Sequence, residues 1–231
     1  MKTSTALKRF WRTWVRPVLA MAAIVFPFKS AIADINFVPS GSMKPTILEG
    51  DVLFVNKLAY DLKIPFTTRH LAEWSNPKRA DVVVLFSPED GLRLVKRLVA
   101  VPGDTLELQK NVLWINGAKA AYQPVQERAL AYVAKSDLTH ARFATETVEN
   151  RSHAVMAYPA YFSPLGSFGP VTLGSDQYFV MGDNRDNSKD SRSFGIVRRE
   201  LIVGRAMSVF VSFDKPGSWL PRLGRFFTAL D

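Results

Sequence analysis

A chain of 231 residues that is 47% hydrophobic and 22% charged can bury a stable core, which excludes wholesale disorder. With no cysteine, it excludes a disulfide scaffold, a thiol nucleophile and any Cys-ligated metal site. The net charge of +9 does not indicate nucleic acid as a partner, because Lys2, Lys8, Arg9, Arg12 and Arg16 gather much of the excess in a short N-terminal arm and no long basic stripe remains.

The basic arm, residues 1–13, leads into an uncharged run at 17–28, then Lys29, then Ala31-Ile32-Ala33 and Asp34. Three readings compete. The first is a cleaved secretory signal, with Ala31-Ile32-Ala33 as its small-x-small cleavage site. The second is an uncleaved transmembrane anchor over 14–33. Its uncharged run spans only about 18 Å against a bilayer core of about 30 Å, so Arg16 or Lys29 must snorkel at its ends. The third is a buried helix of a soluble protein. In the anchored case the arm stays in the cytoplasm and everything after Asp34 lies outside.

The rest reads as short strands broken by turns. They fall at 52–55 after Gly50-Asp51, at 81–86, and at 92–101 before Pro102-Gly103. Residues 112–115 run into Asn116-Gly117, the preferred two-residue hairpin turn, and further strands fall at 178–181 and 201–213. Helix signals are sparse: 125–136 is the main candidate, and 39–48 turns briefly. The expectation is a mostly-β protein whose core comprises residues 35–108 and 176–214. Residues 109–175, with weak periodicity and an aromatic and Pro-rich stretch, read as an insertion. The tail, 215–231, mixes Trp219, Phe226 and Phe227 with Arg222 and Arg225, which suits a membrane surface or packing back on the core.

Four segments bear on chemistry. In residues 39–46, Ser40 and Ser42 flank Gly41, a pattern that is also an ordinary turn. In the strand at 92–101, alternation puts Lys96 on a face with Leu92, Leu94 and Leu98, and Arg97 on the other with Arg93, Val95 and Val99. A lysine there is either an edge-strand gatekeeper or a desolvated base. A desolvated amine loses its proton more readily and can take one from a serine hydroxyl, which is a Ser–Lys dyad. Residues 182–192 form a polar loop, Gly182-Asp183-Asn184-Arg185-Asp186-Asn187-Ser188-Lys189-Asp190-Ser191-Arg192, between apolar strands. Calcium fails on spacing, since a loop starting at Asp183 puts Arg185 and Phe194 where ligand oxygens belong. A hydrogen-bonded loop bracing a site fits better. The fourth segment, 79–86, is a buried strand with an acidic start.

In this order, and across almost the whole chain, these segments resemble bacterial type I signal peptidases, the membrane-anchored Ser–Lys proteases. The resemblance implies a mostly antiparallel β catalytic core with an inserted second β region, preceded by an N-terminal transmembrane helix. It implies Ser42 as nucleophile and Lys96 as general base, with no cofactor or metal. It implies Ser40 as an oxyanion-hole hydroxyl, and Ser188 as the hydroxyl that hydrogen-bonds the lysine. Asp183, Arg185, Asp190, Arg192 and Arg97 match bracing charges. An extended substrate along sheet edges makes Val38 and Val95 candidate walls of shallow pockets, with Ile47 beside them by the resemblance. The partners implied are the signal peptides of exported preproteins and cytoplasmic-membrane lipids, with the catalytic part on the extracytoplasmic side. The chain departs from the Gram-negative pattern in having one candidate membrane segment, a short insertion and no disulfide. Alternatives are a dedicated maturation peptidase for pilin or conjugation substrates, an inactive tethered β binding module, and a self-cleaving repressor-type protein. The last carries a DNA-binding head, where this chain has its apolar segment.

Overall fold

The computed structural model describes residues 8–64, 67–160, 164–215 and 217–230. Lys2 and the other residues of the basic arm up to 7 lie outside the described residues. A π-helical turn, Trp11–Val15, leads into helix α1, Arg16–Ala31. Its 16 residues span about 24 Å. Among the described residues no helix is long and apolar enough to cross a membrane. The segment expected to be helical over 14–33 stops at Ala31, and Ala33 opens the first strand opposite Asn56. Ala31-Ile32-Ala33 is thus split between a helix end and a paired strand, so cleavage after Ala33 requires that strand to be unpicked.

Among the described residues seventeen strands follow in chain order. They are β1 (Ala33–Phe37), β2 (Asp51–Asn56), β3 (Asp61–Lys63), β4 (His70–Glu73), β5 (Val82–Phe86) and β6 (Arg93–Ala100). Next come β7 (Thr105–Gln109), β8 (Val112–Ile115), β9 (Ala118–Lys119), β10 (Ala121–Gln123), β11 (Arg142–Val148), β12 (Arg151–Ala157) and β13 (Phe168–Thr172). The last are β14 (Gln177–Met181), β15 (Val197–Arg198), β16 (Ile202–Ser212) and β17 (Thr228–Ala229). The main sheet runs β1-β2-β16-β5-β6-β14-β15, with β17 on β16, and its pairings are antiparallel. Two smaller antiparallel sheets, β13-β7-β8-β9 and β10-β11-β12, come from residues 105–172, and β3 pairs β4. The strand β7, read as core from its position before residue 109, pairs with β8 and β13 in the second sheet.

Local chemistry explains these elements. Asn116 and Gly117 both have positive φ, 52° and 76°, the geometry of the tight turn that joins β8 to β9. The run Val82-Val83-Val84-Leu85 is apolar throughout because β5 is covered on both faces. Val82 and Val84 pack with Val38, Met43, Ile47 and Leu53, while Val83 and Leu85 pack with Leu98, Val180 and Ile202. The helix expected over 125–136 is instead a 3-10 turn, Glu127–Leu130, followed by α2, Lys135–His140. Tertiary contacts hold α2 where it is, for Asp137 accepts hydrogen bonds from Lys44 Nζ and Tyr158 Oη. The tail packs back on the core: Arg225 and Arg222 reach Asp51, β17 pairs with β16, and Leu230 is buried.

Candidate active site

Strand β6 carries Lys96. Val83 of β5 stands opposite Lys96, and the same face holds Leu94, Leu98 and Val180. Leu92, expected on this face, lies before the strand and is exposed. Lys96 is 3% exposed, and its Nζ lies 2.6 Å from Ser42 Oγ. Burial is the largest influence on its amine and lowers the pKa from 10.5 to about 8. The carboxylates of Asp190 and Asp183 pull the other way, and the cation that adds to the depression is Arg192. Arg97, as alternation expects, lies on the opposite face of β6 and is held by Asp183.

Ser42 sits in the turn after β1, and the polar loop after β14 holds that turn. Asn184 donates its backbone N–H to Ser42 O and its side-chain amide to Gly41 O. Gly182 is required by close approach, because a Cβ there would collide with Ser188 Oγ and Ser42 O. Its N–H donates to Asp190, which also accepts from Arg192 Nε and Nη2 at 2.9 and 2.8 Å. Ser188 therefore stands beside the site, with its buried Oγ against Gly182 and toward the Asp190 carboxylate, which it helps to hold low. The bond to Lys96 implied for it is not formed: Lys96 Nζ is turned to Ser42, and Ser188 lies against Gly182.

A second layer of charge, almost wholly buried, ties this loop to β11 and β12. Arg97, 1% exposed, donates to both Asp183 oxygens at 2.9 Å. Thr46 Oγ1 donates to Asp183 at 2.6 Å. Burial is the largest influence on the Asp183 carboxyl and raises it, but the charge and hydrogen bonds of Arg97 together with His153 and Thr46 outweigh it and hold the group below the usual range. His153 of β12 lies with Nε2 3.4 Å from Glu146 and 3.8 Å from Asp183, and burial keeps it neutral by lowering its pKa. Arg185 is paired with Glu146 at 2.8 and 2.7 Å, so it braces β11 rather than Ser42 and Lys96 directly. Glu146, His153 and Thr46 are partners the sequence did not single out.

A groove of about 420 Å³ opens beside the pair, between residues 36–40 and 92–96. Val38, Val95 and Met43 line it, and exposed Ser40 stands on its rim. Ile47, expected beside these walls, does not line it. The N–H of Ile47 donates to Met43 O in a helical turn that sends the side chain into the core, where it is 0% exposed. Ala80 N–H donates to Leu98 O and Leu98 N–H to Asp81 O. By alternation Lys96 and Leu94 also turn their backbone groups toward β5, and Arg97, Val95 and Arg93 turn theirs away. Met181 of β14 meets Arg97, but β14 ends there, which leaves Val95 and Arg93 facing the groove. Arg93 also pairs with Asp34 at 2.8 Å, tying β6 to β1.

A serine hydroxyl in reach of an amine that loses its proton near neutrality, beside a strand edge open to an extended chain, has the chemistry of a serine peptidase with a lysine base. The comparisons agree with that class. The family model described as "Signal peptidase, peptidase S26" matches residues 11–211. Signal peptidase I of Pseudomonas fluorescens is 33% identical over 215 residues, which covers 87% of this chain and 73% of the relative. Signal peptidase I P of Bacillus subtilis subsp. natto is 32% identical over 203 residues, 87% of this chain and 90% of the relative. A crystal structure of a signal peptidase I from Enterococcus faecalis V583 has 28% identity and a TM-score of 0.35 over 57% of this chain and 97% of that one. The chain belongs to the signal peptidase family, peptidase S26.

Proposed function

We propose that Ser42 is the nucleophile and Lys96 the general base with which this chain, a serine endopeptidase of the signal peptidase family, removes signal peptides from preproteins. The observation that carries the assignment is the 2.6 Å contact between Ser42 Oγ and the buried Lys96 Nζ. The neutral amine takes the hydroxyl proton as Ser42 attacks the carbonyl carbon, and the new ammonium gives it to the leaving amine. Water, with Lys96 again as base, then releases the signal peptide from the acyl-enzyme. An extended substrate lies in the groove and bonds its backbone to Val95 and Arg93. Cleavage of a labelled preprotein with a small-x-small site, by wild type and Ser42→Ala, tests the assignment.

Val38 and Val95 wall the groove and favour small residues next to the scissile bond. In Val38→Ala the wall recedes, and relative kcat/KM for a substrate with Leu before the scissile bond is expected to rise about tenfold. Unchanged preference would leave Val38 with core packing alone. The Ser40 hydroxyl and the Ser42 N–H are the proposed oxyanion donors. Ser40→Ala is expected to lower kcat by about 10²–10³ and leave the unfolding midpoint unchanged, since Ser40 is exposed. A loss under about threefold would make it a turn residue only.

The same reading places the protein at the cytoplasmic membrane, with residues 1–13 on the cytoplasmic side and the catalytic core outside. Two observations support it: α1 turns Val18, Leu19, Met21 and Val25 outward, and Arg9, Arg12 and Arg16 gather at its start.

A further inference from the structure

With Ser42 as the proposed nucleophile, on which this rests, we infer that Lys44, Asp137 and Tyr158 are positioning residues that close a ring of hydrogen bonds around the Ser42 turn. One side of the ring is the polar loop, where Asn184 holds Gly41 O and Ser42 O. Two residues on, Asp186 Oδ2 accepts the Tyr158 N–H at 2.7 Å. Tyr158 Oη donates to Asp137 Oδ1 at 2.9 Å, and Lys44 Nζ donates to Asp137 Oδ2 at 3.1 Å. Lys44 stands two residues after Ser42, and its N–H donates to Gly41 O at 3.2 Å, which returns the ring to the turn. The turn is thus gripped from both sides, by Asn184 on one and through Lys44 on the other.

Helix α2 buries no apolar side chain: every one of its residues but Asp137 is exposed, Leu138 included. What the helix contributes is therefore a carboxylate, which meets Lys44 and Tyr158. Lys44 in turn folds back over the residue before Ser42, since a Cβ on Gly41 would lie 2.9 Å from Lys44 Cε. Glu49 gives it a second carboxylate at 2.9 Å, and the side chains of Lys44, Glu49 and Asp137 are mostly buried, so salt screens them less than a surface pair. Burial is the largest influence on the Lys44 amine and lowers its pKa, but the hydrogen bonds and charges of Glu49 and Asp137 outweigh it and raise it. Lys44 thus stays an ammonium ion where Lys96 loses its proton, which suits it to hold the turn and not to act as a base. Attack needs Ser42 Oγ held against Lys96 and the carbonyl carbon at once, and a misplacement of about 1 Å costs roughly 10²-fold in rate.

The experiment uses the full-length chain and measures kcat and KM for a labelled preprotein with a small-x-small site, together with backbone deuterium exchange across residues 41–44. Tyr158→Phe removes only the hydroxyl, and Lys44→Met keeps the stem and removes the charge. Each is expected to lower kcat at least about fivefold and to change KM less than about twofold, since neither residue lines the groove. Exchange across 41–44 should quicken in both. Lys44→Arg, which can still reach the carboxylates, should keep at least about half of the wild-type kcat. The Lys44→Met/Tyr158→Phe double variant should lose no more than about what the larger single loses, because either break opens the same ring. Lys135→Met, which removes an exposed cation from the same helix, should cleave as wild type does. A loss of kcat under about fivefold in either single variant overturns the proposal. So does a loss that Lys44→Arg shares, that comes with an equal rise in KM, or that multiplies in the double variant. A wild type that does not cleave would instead end the reading of Ser42 as nucleophile. Exchange needs no activity, and unchanged exchange across 41–44 in both single variants overturns the ring by itself.

Discussion

Lys96→Arg is expected to abolish cleavage at every pH at which the protein is folded. A guanidinium keeps its proton throughout that range and cannot accept another from Ser42. The wild-type amine can, because burial brings its pKa to about 8. At pH 7 roughly one molecule in ten then carries the free base, against about one in three thousand for an unshifted lysine. Single-turnover rate should therefore climb through an acid limb with an apparent pKa near 8. Lys96→His should also fail or nearly fail, because the shorter imidazole does not span to Ser42. Stability has the opposite relation to the charge. A base whose folded pKa is depressed binds fewer protons folded than unfolded, so stability rises with pH between about 8 and 10.5 and the penalty is complete below the folded value. Substantial cleavage by Lys96→Arg would remove Lys96 from the mechanism.

Asp183→Asn is expected to reduce stability by about 3–5 kcal/mol, read from urea unfolding, because it leaves the Arg97 guanidinium in the core without its carboxylate. The same substitution should move the acid limb of activity to lower pH. The Asp183 charge favours the ammonium form of Lys96 and raises its pKa, so removing that charge makes the amine easier to deprotonate. A variant that is less stable, and whose remaining activity extends to more acidic pH, is the signature of a brace that is also an electrostatic neighbour. An unchanged limb would leave Asp183 with the structural role alone.

The sequence disclosed most where local chemistry sufficed. Alternation in β6 separates Lys96 from Arg97, and Asn116-Gly117 marks its turn with no help from the fold. Residues 109–175 stood out as a change of pattern, but nothing in Thr105–Gln109 says that its partners are β8 and β13. Ser42 and Lys96 are 54 positions apart, and only resemblance brought them together before the fold did. Glu146 looks like any polar strand residue until β11 and β12 bring it to Arg185, 39 positions on. Ile47, carried over by resemblance to stand beside Val38 and Val95, packs in one cluster with them, but one helical turn buries it in the core rather than in the groove lining. Ser188 was assigned to Lys96 by pattern, and the packing of Gly182 against it points elsewhere.

The most direct measurement is single-turnover cleavage of a labelled preprotein by wild type and Ser42→Ala, with the products located by mass spectrometry. The account predicts cleavage after the small-x-small site by wild type and a loss of at least about a thousandfold in the variant, because the residue that bonds to the acyl group is gone. Retention of a tenth or more of wild-type activity by Ser42→Ala, about 1.4 kcal/mol or less in barrier, would contradict it.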